Sequence, residues 1–191
     1  TSVNSGNYML LAGDEAPGVT NRNLDGAVIW GNMLNWNGTG TALEGMQLGY
    51  NINQIVRYNY FNKTYYGVVF KSGDIGGNLI NISGAFAYNI VKNAYIGVRI
   101  KGINGICVYN NTFFDDLHSS GASFIYISNN PDNGAASSTG TKIFNNIFYT
   151  ASQIANISVE TGSESGLQCD FNIYYCVAGT PMFSYQGASK T

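Results

Sequence analysis

Gly97-Val98-Arg99-Ile100-Lys101-Gly102-Ile103-Asn104-Gly105-Ile106-Cys107-Val108-Tyr109-Asn110-Asn111-Thr112-Phe113 is the stretch whose reading decides the fold. Val98 and Ile100 alternate with Arg99 and Lys101, a period of two that belongs to a strand. A turn built on Asn104-Gly105 follows, Ile106 and Val108 resume the alternation, and Asn111 stands two residues before Phe113. The same arrangement recurs along the chain, so this stretch is one unit of a repeat.

The repeat is legible column by column. An asparagine followed two residues later by an apolar side chain occurs at Asn32, Asn59, Asn89, Asn111, Asn146 and Asn172. Three residues before each lie Ile29, Val56, Phe86, Val108, Ile143 and Cys169, all apolar. An earlier strand in each unit contributes pairs such as Met46 and Leu48, Val68 and Phe70, Val98 and Ile100, Ile125 and Ile127, Ile157 and Val159. Glycine opens three consecutive units, at Gly45, Gly67 and Gly97, which suggests a tight turn into the strand. The long connections are Ser72–Gly84, Asp115–Ser123 and Ser128–Gly140.

Units of about 20–35 residues lie in the range of solenoids. None holds a helical pattern long enough for a crossover helix, so each strand must stack on its equivalent in the next rung, ~4.8 Å away. A buried asparagine in such a stack can bond the backbone and the asparagine above it. Left unsatisfied it would cost roughly 1–3 kcal/mol. The six asparagines therefore read as an inward ladder.

Turns such as Tyr109-Asn110-Asn111-Thr112-Phe113 and Phe144-Asn145-Asn146-Ile147-Phe148 resemble the repeat of the pectate-lyase-like superfamily. The resemblance covers nearly the whole chain. It implies an all-β, right-handed, single-stranded parallel β-helix (β-solenoid) of about six rungs. The fold hosts lyases, hydrolases, epimerases, tailspikes and adhesins, so it does not fix function. In enzymes of the superfamily the site commonly lies on the outward face of the first strand, flanked by loops.

At 191 residues the chain reads as a single β-helix domain, 1–191. Thr1–Asn7 contains no amphipathic cap, and the chain stops soon after Met182-Phe183-Ser184-Tyr185. A solenoid caps its terminal rungs, so the expectation is a fragment of a longer solenoid, with capping segments missing, or self-association at the open ends. With 10% charged residues and a net charge of −2, the chain lacks the basic footprint of a nucleic-acid binder. No apolar run reaches the ~18 residues of a membrane span. Cys107 and Cys169 lie two rungs apart, beyond disulfide reach, so free cysteines are expected.

Candidate chemistry gathers on two surfaces. The outward columns of the first strand read Gln47, Val69, Arg99, Tyr126, Ser158 and Gly49, Lys71, Lys101, Ser128, Glu160. Lys71, Arg99, Lys101 and Tyr126 thus form a patch that could hold a uronate carboxylate or serve as base and acid in its β-elimination, with His118 as a further catalytic candidate. Asp115 and Asp116 precede His118 in the loop to the next rung and, with Glu160, are the substrate-binding candidates. Paired carboxylates can share acid–base work or hold a divalent cation.

Arg99-Ile100-Lys101 and Gly67-Val68-Val69-Phe70-Lys71-Ser72-Gly73 also resemble motifs of the polygalacturonase family. The acidic and histidine motifs of that family have no counterparts here, and Tyr65-Tyr66 stands where its aspartate pair would be, so the resemblance does not carry hydrolysis over. Calcium-dependent pectate lyases place acids on the outward first-strand face, where only Glu160 qualifies. No metal ligands are assigned, and calcium stays the one cofactor the resemblance suggests. The expected function is a secreted or cell-surface β-helix that engages an acidic polysaccharide, with lyase-like chemistry. The alternative is a non-catalytic adhesin, tailspike-type or structural module.

Overall fold

The computed structural model describes residues 8–12, 26–36, 44–49, 53–72, 74–75, 78–79, 83–129, 137–185 and 188–190. Within them the chain is all strand and turn, without a helix. Three strands per turn wind into three faces of a parallel β-helix of about six rungs.

The first face contains β1 (Tyr8–Ala12), β4 (Glu44–Gly49), β7 (Tyr66–Lys71), β12 (Ile96–Lys101), β15 (Ser123–Ser128), β18 (Ala155–Val159) and β21 (Met182–Tyr185), joined in that order. At its edge β22 (Ala188–Lys190) turns back antiparallel on β21. The second face stacks β2 (Val28–Trp30), β5 (Gln54–Arg57), β10 (Gly84–Ala87), β13 (Ile106–Tyr109), β16 (Lys142–Phe144) and β19 (Gln168–Asp170). The third stacks β3 (Met33–Asn35), β6 (Tyr60–Asn62), β11 (Ile90–Lys92), β14 (Thr112–Asp115), β17 (Ile147–Thr150) and β20 (Ile173–Cys176). A two-stranded hairpin, β8 (Asp74–Ile75) and β9 (Asn78–Leu79), projects from the connection after β7.

The register confirms the columns. Val98 pairs with Val68 and Ile125, and Phe113 with Val91 and Phe148. The inward side chains fill the helix with Met46, Val56, Phe61, Val68, Phe86, Val98, Phe113, Ile125 and Phe148 at 0% exposure. Each buried large side chain contributes roughly 1.5–3 kcal/mol. Phe113, Phe148 and Tyr174 add a ring stack at 5.0 Å spacing. Cys169 sits in the inward column but is exposed, because β19 is the edge strand of its sheet among the described residues. All three cysteines are free.

The asparagine ladder is continuous. Each side-chain amide donates to the next: Asn32 to Asn59, Asn59 to Asn89, Asn89 to Asn111, Asn111 to Asn146 and Asn146 to Asn172, at 2.9–3.1 Å. The backbone N–H of each donates to the same carbonyl oxygen, as Asn89 N does to Asn111 Oδ1 at 2.8 Å. The ladder works because the residue before each asparagine turns the backbone left-handed. Gly31, Tyr58, Tyr88, Asn110, Asn145 and Phe171 all have φ between 55° and 70°. The corner between the second and third faces is therefore a repeated left-handed step.

The glycines that open the units have a different reason from the one expected. Gly45, Gly67 and Gly97 lie inside β4, β7 and β12 and none has a positive φ. A Cβ on Gly45 would stand 2.4 Å from the carbonyl oxygen of Gly67, one on Gly67 2.4 Å from that of Gly97, and one on Gly97 2.6 Å from that of Phe124. The rungs approach each other too closely there for any side chain, so the need is for contact, not for a turn.

Candidate functional site

The first sheet carries a groove of about 450 Å³ on its outer face. Its floor is the outward column Arg99, Tyr126, Ser158 and Ser184, which the register places on successive rungs. One wall is built where the chain enters the strands, from Tyr65 and Tyr95 in the turns and Tyr66 and Ile96 at the starts of β7 and β12. The loop after β14 adds Gly121 and Ala122. A Cβ on Gly121 would lie 2.6 Å from the Tyr95 hydroxyl, so the loop rests directly on that ring.

Arg99 is held from both sides along the helix axis. Its guanidinium carbon lies 5.3 Å from the Tyr66 ring centre and 5.5 Å from that of Tyr126. Its Nη1 donates to the Tyr66 hydroxyl at 2.8 Å, and Nε makes a long contact of 3.5 Å to Ser128 Oγ. Cation–π contacts and one hydroxyl orient the head without neutralising it. Among the described residues no carboxylate pairs with Arg99, which leaves part of its donor fork for an anion.

Tyr126 faces the other way. Its hydroxyl donates to Glu160 Oε1, and Glu160 Oε2 accepts the Asn129 backbone N–H at 2.8 Å. Burial, reinforced by the hydrogen bond and charge of Glu160, pushes the Tyr126 phenol up to about 12. Burial likewise raises Tyr66, against the lowering influence of Arg99. Both tyrosines are therefore neutral hydroxyl donors at ordinary pH.

Asp115 and Asp116, adjacent in sequence, diverge in space. Asp115 is fully buried, with Oδ1 2.7 Å from His118 Nδ1 and Oδ2 accepting the His118 backbone N–H at 3.1 Å. Asp116 is exposed and exchanges two hydrogen bonds with Asn93. Asp115 thus fixes one imidazole nitrogen while His118 packs edge-on against Tyr95, 5.7 Å between ring centres. Tyr95 in turn stacks on Tyr65 at 5.1 Å. The histidine stands behind the aromatic wall rather than on the groove floor.

Lys71 and Lys101 are register partners on adjacent rungs, one column away from Arg99. They lie outside the groove lining. Glu160 reaches the groove only through Tyr126. Of the sequence candidates, Arg99 and Tyr126 meet at the centre, Glu160 and His118 support from outside, and Asp115 acts on His118. A calcium ion needs several converging oxygen ligands. Here Glu160 accepts from a hydroxyl and an N–H, and among the described residues no three His, Cys, Asp or Glu side chains converge. The described residues do not fit that ion.

Comparison with protein-family models, with characterised proteins and with solved structures finds no match. The architecture therefore stands on the repeat and its register alone.

Tyr65, Tyr66, Tyr95, Ser123 and Ser184 also line the groove without having been candidates. A signal was present: Tyr65 and Tyr95 each stand two residues before a unit-opening glycine. They belong to turns, whose side-chain directions the strand alternation does not predict.

Proposed function

We propose that the groove on the first sheet binds an acidic saccharide outside the cell or at its surface. The observation that carries this reading is Arg99, a guanidinium clamped between two tyrosine rings with no carboxylate partner among the described residues. An arginine so oriented is suited to a planar, bidentate anion such as a uronate carboxylate. The remaining lining is rich in hydroxyls, from Tyr65, Tyr66, Tyr95, Tyr126, Ser123, Ser158 and Ser184, with small apolar patches between them. A ring bearing many hydroxyls and one carboxylate matches that chemistry. The superfamily resemblance adds the same substrate class.

Binding is better supported than turnover. β-Elimination needs a base beside the sugar, and a phenol held up to about 12 stays protonated and can only give a proton. His118 is shielded by Tyr95. The protein is then a glycan-binding β-helix of the adhesin or tailspike type rather than a lyase.

The test is calorimetric titration with uronate oligosaccharides and with neutral ones of the same length, at low and moderate salt. The expected result is tighter binding of the uronates, weakened by salt, and a loss of roughly tenfold or more in Arg99→Ala, from one charge-assisted contact. Binding that ignores glycan charge, or survives Arg99→Ala, overturns the reading. Release of an unsaturated uronide, followed by its ultraviolet absorbance, would make the groove an active site instead.

A further inference from the structure

The groove has two unlike ends. The register sets Gln47, Val69, Arg99, Tyr126, Ser158 and Ser184 on successive rungs, in one outward column of the first sheet. Gln47 and Val69 are nevertheless buried, each at 4% exposure. The floor is therefore closed to a ligand on the low-numbered side of Arg99. The Tyr66 ring stands against the guanidinium on that side, and its hydroxyl accepts from Arg99 Nη1. In the other direction the floor stays accessible, with Tyr126, Ser158 and Ser184 half-buried. From the strand of Arg99 to that of Ser184 the sheet takes three rung steps, roughly 14 Å. The groove is a slot, blind at Arg99 and continuing toward Ser184.

Charge follows the same polarity. Among the described residues of the lining, Arg99 is the single charged side chain. Lys71 and Lys101 lie one column away on the rungs of β7 and β12, and add positive potential at the blind end. On the later rungs the described lining is Ser123, Ala155, Ser158, Met182 and Ser184 beside Tyr126, hydroxyls and small apolar surface without a cation. Behind Tyr126 stands the Glu160 carboxylate, which accepts the phenol hydrogen bond. A second ligand carboxylate placed one sugar along would meet Glu160 and no counter-charge. Like charges brought together cost affinity, and a site can exclude a ligand by that means. A neutral, hydroxyl-rich ring meets no such repulsion.

We propose that the groove takes the end of a glycan chain: one terminal sugar bearing a carboxylate sits at Arg99, and neutral sugars run from it over Ser158 and Ser184. This rests on the reading of the groove as a saccharide site and adds which acidic glycans it accepts. An internal uronate would require the chain to continue past Arg99 over Val69 and Gln47, where the surface is closed. A homopolymer of uronates would lay its next carboxylates on a floor without cations. A groove of about 450 Å³ has the size of a small-ligand site, which suits a chain end better than a long polymer.

Calorimetric titration of the whole chain tests this with tetrasaccharides that are neutral, carry one uronate at either chain end, carry one internal uronate, or are uronate throughout. One of the two end isomers is expected to bind roughly tenfold or more tighter than the internal isomer and the all-uronate chain at moderate salt. Ser158→Lys supplies the missing cation and is expected to raise affinity for the all-uronate chain by a similar factor, a gain that Ser158→Gln, without the charge, does not give. Equal affinity for end and internal isomers, or an all-uronate chain that binds best, overturns the proposal while leaving the groove a site for acidic saccharides. So does a folded Ser158→Lys whose affinity for the all-uronate chain does not rise. No preference for any acidic chain over the neutral one would remove the saccharide reading itself, and the proposal with it.

Discussion

Asn111 shows what one residue does in this fold. Its Nδ2 donates to Phe86 O, Tyr109 O and Asn146 Oδ1, and its Oδ1 accepts from the backbone and side chain of Asn89. Asn111→Ala orphans two buried backbone groups, Phe86 O and Asn89 N–H, and is expected to cost roughly 2–6 kcal/mol at 1–3 each, read from denaturant melts. Its neighbour Asn110 has a φ of 55°. Asn110→Gly should be nearly neutral and Asn110→Ala should lose about 1 kcal/mol, the strain of a left-handed alanine. Losses in Asn110→Gly as large as in Asn111→Ala would refute the ladder as the source of the effect. Tyr126 makes a second residue-scale prediction. Its folded pKa is raised to about 12 from an ordinary 10.0, so its contribution to stability is intact below pH 10 and lost as pH rises through about 12. Burial raises Tyr174 to about 12 as well, so ultraviolet titration of the phenols should show a late component near pH 12 whose amplitude falls by one phenol in Tyr126→Phe and part of which moves to lower pH in Glu160→Gln. A titration unchanged by both substitutions would show that Tyr126 is not among the late phenols.

At the scale of the element, the strands of the first sheet are constrained where glycine lets rungs touch. Gly67→Ala puts a Cβ 2.4 Å from the Gly97 carbonyl oxygen, while Gly49→Ala meets nothing closer than 3.8 Å. The first should destabilise by several kcal/mol or prevent folding, as overpacking against backbone does. The second should fall within about 1 kcal/mol of the wild type; equal thermal melts for the two would remove the close-approach account. These elements also show how far the sequence could be read. Alternation exposed the inward columns of β7, β12 and β15 because strand geometry fixes side-chain direction every second residue. The ladder followed from the spacing of its asparagines. The left-handed corner was hidden, since Tyr58, Tyr88 and Phe171 carry no turn signature of their own and the stacked rungs impose the conformation. The groove was half legible. Arg99 and Tyr126 sit on strands, whereas Tyr65 and Tyr95 gain their places from turns, and Asp115 and Asp116 part because β14 ends at Asp115 and Asp116 already belongs to the loop.

At the scale of the whole molecule, each rung is held by its neighbours, so hydrogen exchange should be slowest in the interior rungs between Gly67 and Ile127, and uniform protection along the chain would contradict nearest-neighbour stability. The asparagine ladder also spans the molecule, and every one of its links points from the lower-numbered rung to the higher. Six amide dipoles, each of about 3.5 D if like a peptide unit, therefore add along the axis instead of cancelling. The fold has an electrical direction: its Asn32 end is partially negative and its Asn172 end partially positive. Aligned links polarise one another, so an acidic residue tolerated beside Asn172 would be resisted beside Asn32, although both positions belong to the same column and the same motif.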